Sequence, residues 1–287
     1  MRTRLSVVVL LLFLGVLVLL SSCSSGSTAK MGTPEWYWNA ANEVFTTGDL
    51  AKTQEHLEKV VLSDNPFKAR ATVWHLIMSG GMALGYRDLA EAYDEGGNAT
   101  KSGAGDFRRR AGDALRYSKQ YCISEAQELE QLLKETGTNE YALEFAFPAG
   151  NPTEDPAIGR IRKGLTLPEE ERVKAERMTI KRGVLLETAR TVGAGDDTAK
   201  TAALFEKKPV KVARPVFLYG LAEGLLEQSR IFDRKKLNEP DKKKILLQMA
   251  SDCLKPASET GDADLKKKAK SLQEKIAKEQ KSLPKAV

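Results

Sequence analysis

The sequence predicts an all-α protein, a stack of helical hairpins with no significant sheet. Three observations carry that expectation. Lys, Glu, Ala and Leu dominate and only 7% of the 287 residues are aromatic, a composition that suits helices better than sheets. Apolar residues recur at spacings of three and four in segment after segment, and no stretch shows convincing strand alternation. Helix starts and stops, such as Thr33-Pro34, Gly48-Asp49 and Asn65-Pro66, punctuate those segments.

The chain begins with a basic head, Arg2 and Arg4, then an apolar run from Leu5 to Leu20, then Leu20-Ser21-Ser22-Cys23 and an abruptly polar stretch. A basic head, an apolar core and small residues before a cut site make a secretory signal. The run is short of the roughly 20 residues needed to span a bilayer, which argues against an uncleaved anchor. The four residues Leu20 to Cys23 resemble the bacterial lipobox. That resemblance implies that residues 1–22 are removed and that Cys23 becomes a diacylated N-terminus holding the protein at a membrane. Ser24 after the lipidated cysteine is compatible with the outer membrane, facing the periplasm. Residues 23–33 then form a Ser/Gly-rich flexible tether, and residues 34–287 a single helical domain.

The formal net charge is +6. Export separates the protein from nucleic acid, so a weak bias toward anionic lipid is the better reading of that charge. Cys122 and Cys253 are the other cysteines, and His56 and His75 the only histidines. Outside the cytoplasm a disulfide is permitted, but nothing in the sequence shows that the two cysteines meet; as free buried thiols they behave as small hydrophobes. Without a Cys-x-x-Cys, no zinc site is expected, and no cofactor motif is present.

Pro34 suits a first helical position, and Trp38, Ala41 and Phe45 follow on one face. Gly48-Asp49 ends that helix. A second one carries Leu50, Thr53, Leu57, Val60 and Val61 until Asn65-Pro66 stops it. This hairpin resembles a tetratricopeptide repeat: large residues at Tyr37 or Trp38, small Ala41, bulky Val44 or Phe45, a Gly-Asp turn, then Thr53, Leu57, Val60 and Pro66. Thr53 and Val60 depart from the alanines that the family prefers, and Pro66 is displaced by about one position. Residues 34–97 carry the best match, with a degenerate second unit in which Trp74 takes the large position, Met78 the small one, Gly85 the turn and Ala90 the small position on the next helix. Gly80, Gly81, Gly96 and Gly97 dilute helix propensity there.

Asp106 is expected to cap a long helix to about Glu135 with two apolar stripes, one through Phe107, Ala111, Ala114, Ser118 and Tyr121, the other through Leu115, Cys122, Ala126, Leu129 and Leu133. Residues 145–167, with Pro148, Pro152 and Pro156, read as a Pro-rich extended connector that wraps over the helices and seals their edge. Thr166 and Pro168 start a helix to about Val192. Further helices are expected over 197–205, 216–232, 241–254 and 262–282, with a basic, Pro-flanked loop over 207–215. Gly220-x-x-x-Gly224 permits close helix packing, and Leu265, Ala269, Leu272, Ile276 and Leu283 give the last helix a narrow stripe with charged flanks.

No nucleophile motif, phosphate loop or His-Glu-x-x-His pattern is present, so the expected function is non-enzymatic. The repeat resemblance implies a scaffold or adaptor that grips an envelope protein or peptide. Trp36, Tyr37, Trp38 and Trp74 are the candidate partner-binding residues, although the same rings serve equally well as core. Arg109 and Arg116 on the long helix, with Lys207, Lys208, Lys211 and Arg214 of the basic loop, are candidate anion-binding residues, against the alternative of a solvated face. They would suit a second reading, a solute-binding helper beside a periplasmic transporter.

Overall fold

The computed structural model describes residues 29–135, 137–146, 154–206 and 209–284. Among them are ten α-helices: α1 (Pro34–Thr47), α2 (Leu50–Val61), α3 (Lys68–Ala99), α4 (Ala104–Lys134), α5 (Pro156–Arg162), α6 (Glu169–Thr191), α7 (Thr198–Phe205), α8 (Arg214–Ser229), α9 (Pro240–Glu259) and α10 (Ala263–Lys281). The fold is an all-α stack. Its small exception is an antiparallel ladder between β1 (Glu140–Leu143) and β2 (Val210–Ala213), with Glu140 opposite Ala213 and Leu143 opposite Val210. β2 therefore occupies part of the stretch read as a basic loop. Four residues per strand are too few for alternation to stand out in the sequence.

The first hairpin forms as its local signals dictate. Thr33 caps α1 by accepting from the Trp36 amide, Pro34 opens the helix, and Gly48 at φ 82° closes it. Asp49 then caps α2 by accepting from the Lys52 amide at 3.1 Å. Trp38, Ala41 and Phe45 pack toward Leu50, Thr53, Leu57 and Val60, all of them buried.

The second unit is not a hairpin. Gly85 lies inside α3, a continuous helix of 32 residues. Residues 71–85 are buried without interruption, as befits a helix surrounded by others; α2, α4, α6 and α8 all pack on it. Its glycines are contact points rather than breaks. A Cβ on Gly81 would lie 2.4 Å from Val184 Cα, one on Gly85 2.5 Å from Ile180 Cα, and one on Gly183 of α6 2.2 Å from the Gly81 carbonyl oxygen. The backbones of α3 and α6 meet where no side chain fits. Gly220 repeats the device between α8 and α6, its absent Cβ 2.5 Å from the Arg190 carbonyl carbon.

Three further expectations are corrected. Helix α4 starts at Ala104 after Gly103 at φ 79°, so Asp106 sits in its first turn and is not the cap. It buries one stripe rather than two, through Phe107, Ala111, Ala114, Ser118, Cys122, Glu125, Leu129 and Leu132, because it packs chiefly against α3. The 145–167 segment packs onto the helices as expected, but it is not extended throughout. Phe145 is fully buried among Trp38, Phe45 and Trp74, and α5 buries Ala157, Ile158 and Ile161. Pro148 and Pro152 lie outside the described residues.

The principal core runs from Trp38 to Ile276. A second cluster, around Leu89, Tyr93, Phe107, Ile158 and Ile161, fills the space between α3, α4, α5 and α6. The α10 stripe, Leu265, Ala269, Leu272 and Ile276, docks as expected, chiefly on α9. Cys122 and Cys253 are both buried and free.

Candidate functional site

The aromatic candidates divide sharply. Trp74 has no exposed surface and stacks on Phe145 at 4.9 Å and 17°. Trp38 is also buried, 4.8 Å from Phe145, with the Arg70 guanidinium 5.5 Å from its ring. These two tryptophans belong to the core and are not available to a partner. Trp36 and Tyr37 stay half-buried. Trp36 sets its edge against Tyr37 at 5.1 Å and against His56 of α2 at 5.7 Å, and Tyr37 lies 5.8 Å from the same imidazole. His56 is 8% exposed and its Nδ1 has no partner. Burial is the largest effect on its pKa and lowers it, so the ring beside the two aromatics is neutral at neutral pH. His75 is buried on α3 with Nδ1 against the Glu128 carboxylate.

The cationic candidates do not converge. Arg109 pairs with Asp106 at 2.6 Å and Arg116 with Asp113 at 2.8 Å, all on exposed turns of α4. Lys211 pairs across the ladder with Glu140 at 3.2 Å. Arg214 donates Nη2 to the Leu132 carbonyl at 3.0 Å, near the other end of α4. Twenty-three residues of helix separate Arg109 from Leu132, about 35 Å at helical rise. Lys207, Lys208 and Cys23 lie outside the described residues.

A group that sequence reading passed over sits at the centre of the stack. Glu125 of α4 and Glu187 of α6 are completely buried. Gln228 of α8 donates Nε2 to Glu125 Oε2 at 2.6 Å, while Glu125 Oε1 and both Glu187 carboxylate oxygens find no partner. Two glycines make room for them. A Cβ at Gly80 would lie 3.0 Å from Glu125 Oε1, and one at Gly224 2.6 Å from either Glu187 oxygen. Loss of water pushes Glu125 well above the carboxylate range, with the Glu187 charge adding to it. Burial likewise pushes Glu187 up to about 8, against the opposing pull of Arg190. The pair holds protons where ordinary glutamates have lost them. Helical phase was the available signal: Glu125 falls in register with the α4 stripe, and Glu187 lies one turn beyond Gly183.

A cleft of about 230 Å³ opens beside the second core cluster, between Tyr93, Phe107, Arg110, Ile161, Leu167 and Arg172. Its guanidinium groups are engaged, Arg110 with Asp106 at 2.9 Å and Arg172 with Glu176 at 2.7 Å, and Tyr93 donates its hydroxyl to Glu176. Among the described residues no group of three or more His, Cys, Asp or Glu side chains is arranged to hold a metal ion, and no helix is long and apolar enough to cross a membrane.

These features define an all-α helical stack with a pair of buried carboxyl groups in its core and two partly exposed aromatic clusters, Trp36 with Tyr37 beside His56, and Tyr86 stacked on Tyr117 and Tyr121. No family model matches the chain, and no curated protein or solved structure shows a significant likeness to it.

Proposed function

We propose that the protein is an envelope-anchored lipoprotein whose helical stack serves as a non-enzymatic binding scaffold or adaptor for another envelope protein or peptide. The lipobox-like Leu20-Ser21-Ser22-Cys23 supports the anchor. The observation that carries the scaffold is the contrast among the tryptophans: Trp38 and Trp74 are consumed by the core, whereas Trp36 and Tyr37 keep part of their rings in solvent beside a neutral His56. Half-buried, pre-positioned aromatics lose little entropy on binding and are enriched where proteins grip partners. The solute-binding alternative asks for converging arginines. Arg109 and Arg116 instead pair with carboxylates of their own helix, and Arg110 and Arg172, which do meet at the cleft, are each held by a neighbouring carboxylate.

Crosslinking in intact envelopes, followed by mass spectrometry of proteins captured with the full lipoprotein, tests this reading. A partner captured by the wild type is expected to be lost from the Trp36→Ala/Tyr37→Ala variant while its circular dichroism stays unchanged. Capture indifferent to both rings would overturn the assignment of the surface. The anchor has its own test: Cys23→Ala should release the chain from the membrane, and a variant that stays acylated and bound refutes it.

A further inference from the structure

The charge of this chain is unevenly placed. Residues 230–287 hold 16 lysines and arginines against nine acids, whereas residues 1–229 hold 29 against 30. The whole positive excess therefore belongs to the last fifth of the chain, the part that builds α9 and α10. On α10 the residues Leu265, Ala269, Leu272 and Ile276 are buried, and Lys266, Lys267, Lys270, Lys278 and Lys281 are exposed. At helical periodicity these five lysines fall on one arc of about 120° opposite the buried stripe, and Glu274 is the one acid within it. None of the five forms an ion pair among the described residues, in contrast to buried Lys243 of α9, held by Asp233 and Glu279 at 2.7 and 2.6 Å. Lys242 and Lys244 of α9 are exposed as well.

We propose that this outer face of α10 is the side the protein lays against the membrane, docked on anionic phospholipid headgroups. The proposal rests on the lipid-anchored reading above, because the anchor supplies the proximity. Ten residues separate Cys23 from Pro34, a span of at most about 35 Å if fully extended. A compact domain of this size has a radius of gyration of about 18 Å. The tether therefore keeps the domain in contact distance of the headgroups, and the face that turns toward them is decided by charge. Lysine suits that role: its ammonium is a point charge on a flexible stem that answers to a diffuse phosphate field rather than to one bidentate partner. An acidic protein would satisfy the same charge but lacks the enforced proximity.

The test uses the full lipoprotein in vesicles of phosphatidylcholine alone or with added phosphatidylglycerol, with acetylation of individual lysines read by mass spectrometry. Labelling of Lys267, Lys270 and Lys278 is expected to slow by roughly tenfold on the anionic vesicles relative to the neutral ones. It should recover at about 0.5 M salt, where the Debye length has shrunk to roughly 4 Å. Lys52 and Lys59 of α2 should label alike on both. In the Lys267→Glu/Lys270→Glu/Lys278→Glu variant, whose changes lie on an exposed face, protection of Lys266 and Lys281 should be lost. Equal labelling on the two vesicles, or protection of Lys52 and Lys59 instead, overturns the proposal. Protection that appears only when polyglutamate is added to neutral vesicles overturns it in favour of an acidic protein partner. Failure of the anchor reads out separately, as loss of protein from neutral vesicles in a salt wash, while the labelling pattern on anionic vesicles is still scored on the bound fraction.

Discussion

Glu187 is a carboxyl group that folding strips of water and leaves without a hydrogen-bond donor. Its ordinary pKa of 4.5 rises to about 8, with burial as the first cause and Arg190 pulling the other way. Glu223 and Asp196 add to the rise, while Glu125, held by Gln228, is itself pushed up by burial and by the Glu187 charge. The folded pKa lies above the unfolded one, so the folded state keeps its proton longer. The stability this provides is complete below about 4.5 and drains away as pH rises toward about 8, at about 1.4 kcal/mol per pH unit for each proton retained. The melting temperature should therefore fall between pH 5 and pH 8, as followed by circular dichroism. Glu187→Gln keeps the shape and removes the titration, so its melting temperature should vary less over that range and exceed the wild type's at the alkaline end. A variant with the same pH slope as the wild type would show that Glu187 is not the titrating group.

At the scale of elements, glycines in helices mean opposite things according to what passes beside them. Gly112 of α4 has no atom within 4 Å of an added Cβ, whereas Gly183 of α6 would drive its Cβ to 2.2 Å from the Gly81 carbonyl. Gly112→Ala should stabilise by about 0.5–1 kcal/mol, the helix-propensity gain. Gly183→Ala has the same gain in propensity but must push α6 off α3, and should destabilise by about 1–3 kcal/mol. Urea unfolding of the two variants checks the pair, and equal signs would refute the backbone seam. The same contrast explains what could be read from the sequence. The α1–α2 hairpin was legible because Thr33, Pro34, Gly48 and Asp49 act on their own neighbours. The α10 stripe was legible because it repeats. The course of α3 was not, since Gly81 and Gly85 look like breaks until α6, about a hundred residues later, is known to lie on them. The same holds for Trp38 and Trp74, whose burial depends on Phe145 arriving from a segment that reads as a connector. Glu125 and Glu187 were hidden by residue type, because glutamates are seldom core residues.

For the whole molecule, the question is whether the basic C-terminal helices melt with the rest. The principal core is continuous from α1 to α10, and it contains two natural reporters. Cys122 on α4 and Cys253 on α9 are both fully buried and free. Burial pushes each thiol well above its ordinary range, with Glu125 raising both further. A thiol reagent needs an exposed thiolate, so neither cysteine should react until the structure opens around it. If the stack is one cooperative unit, both should become reactive at the same urea concentration, and that midpoint should coincide with the loss of helicity. Because α9 packs on α8, which lies on α6 and α3, its release would uncover its own Leu246, Leu247 and Leu254, three side chains now almost wholly buried. Exposing such side chains costs about 1.5–3 kcal/mol each, a strong coupling of the basic lobe to the rest. The measurement is urea-dependent labelling of each cysteine, resolved by mass spectrometry. Reaction of Cys253 well before Cys122 would show that α9 and α10 open on their own.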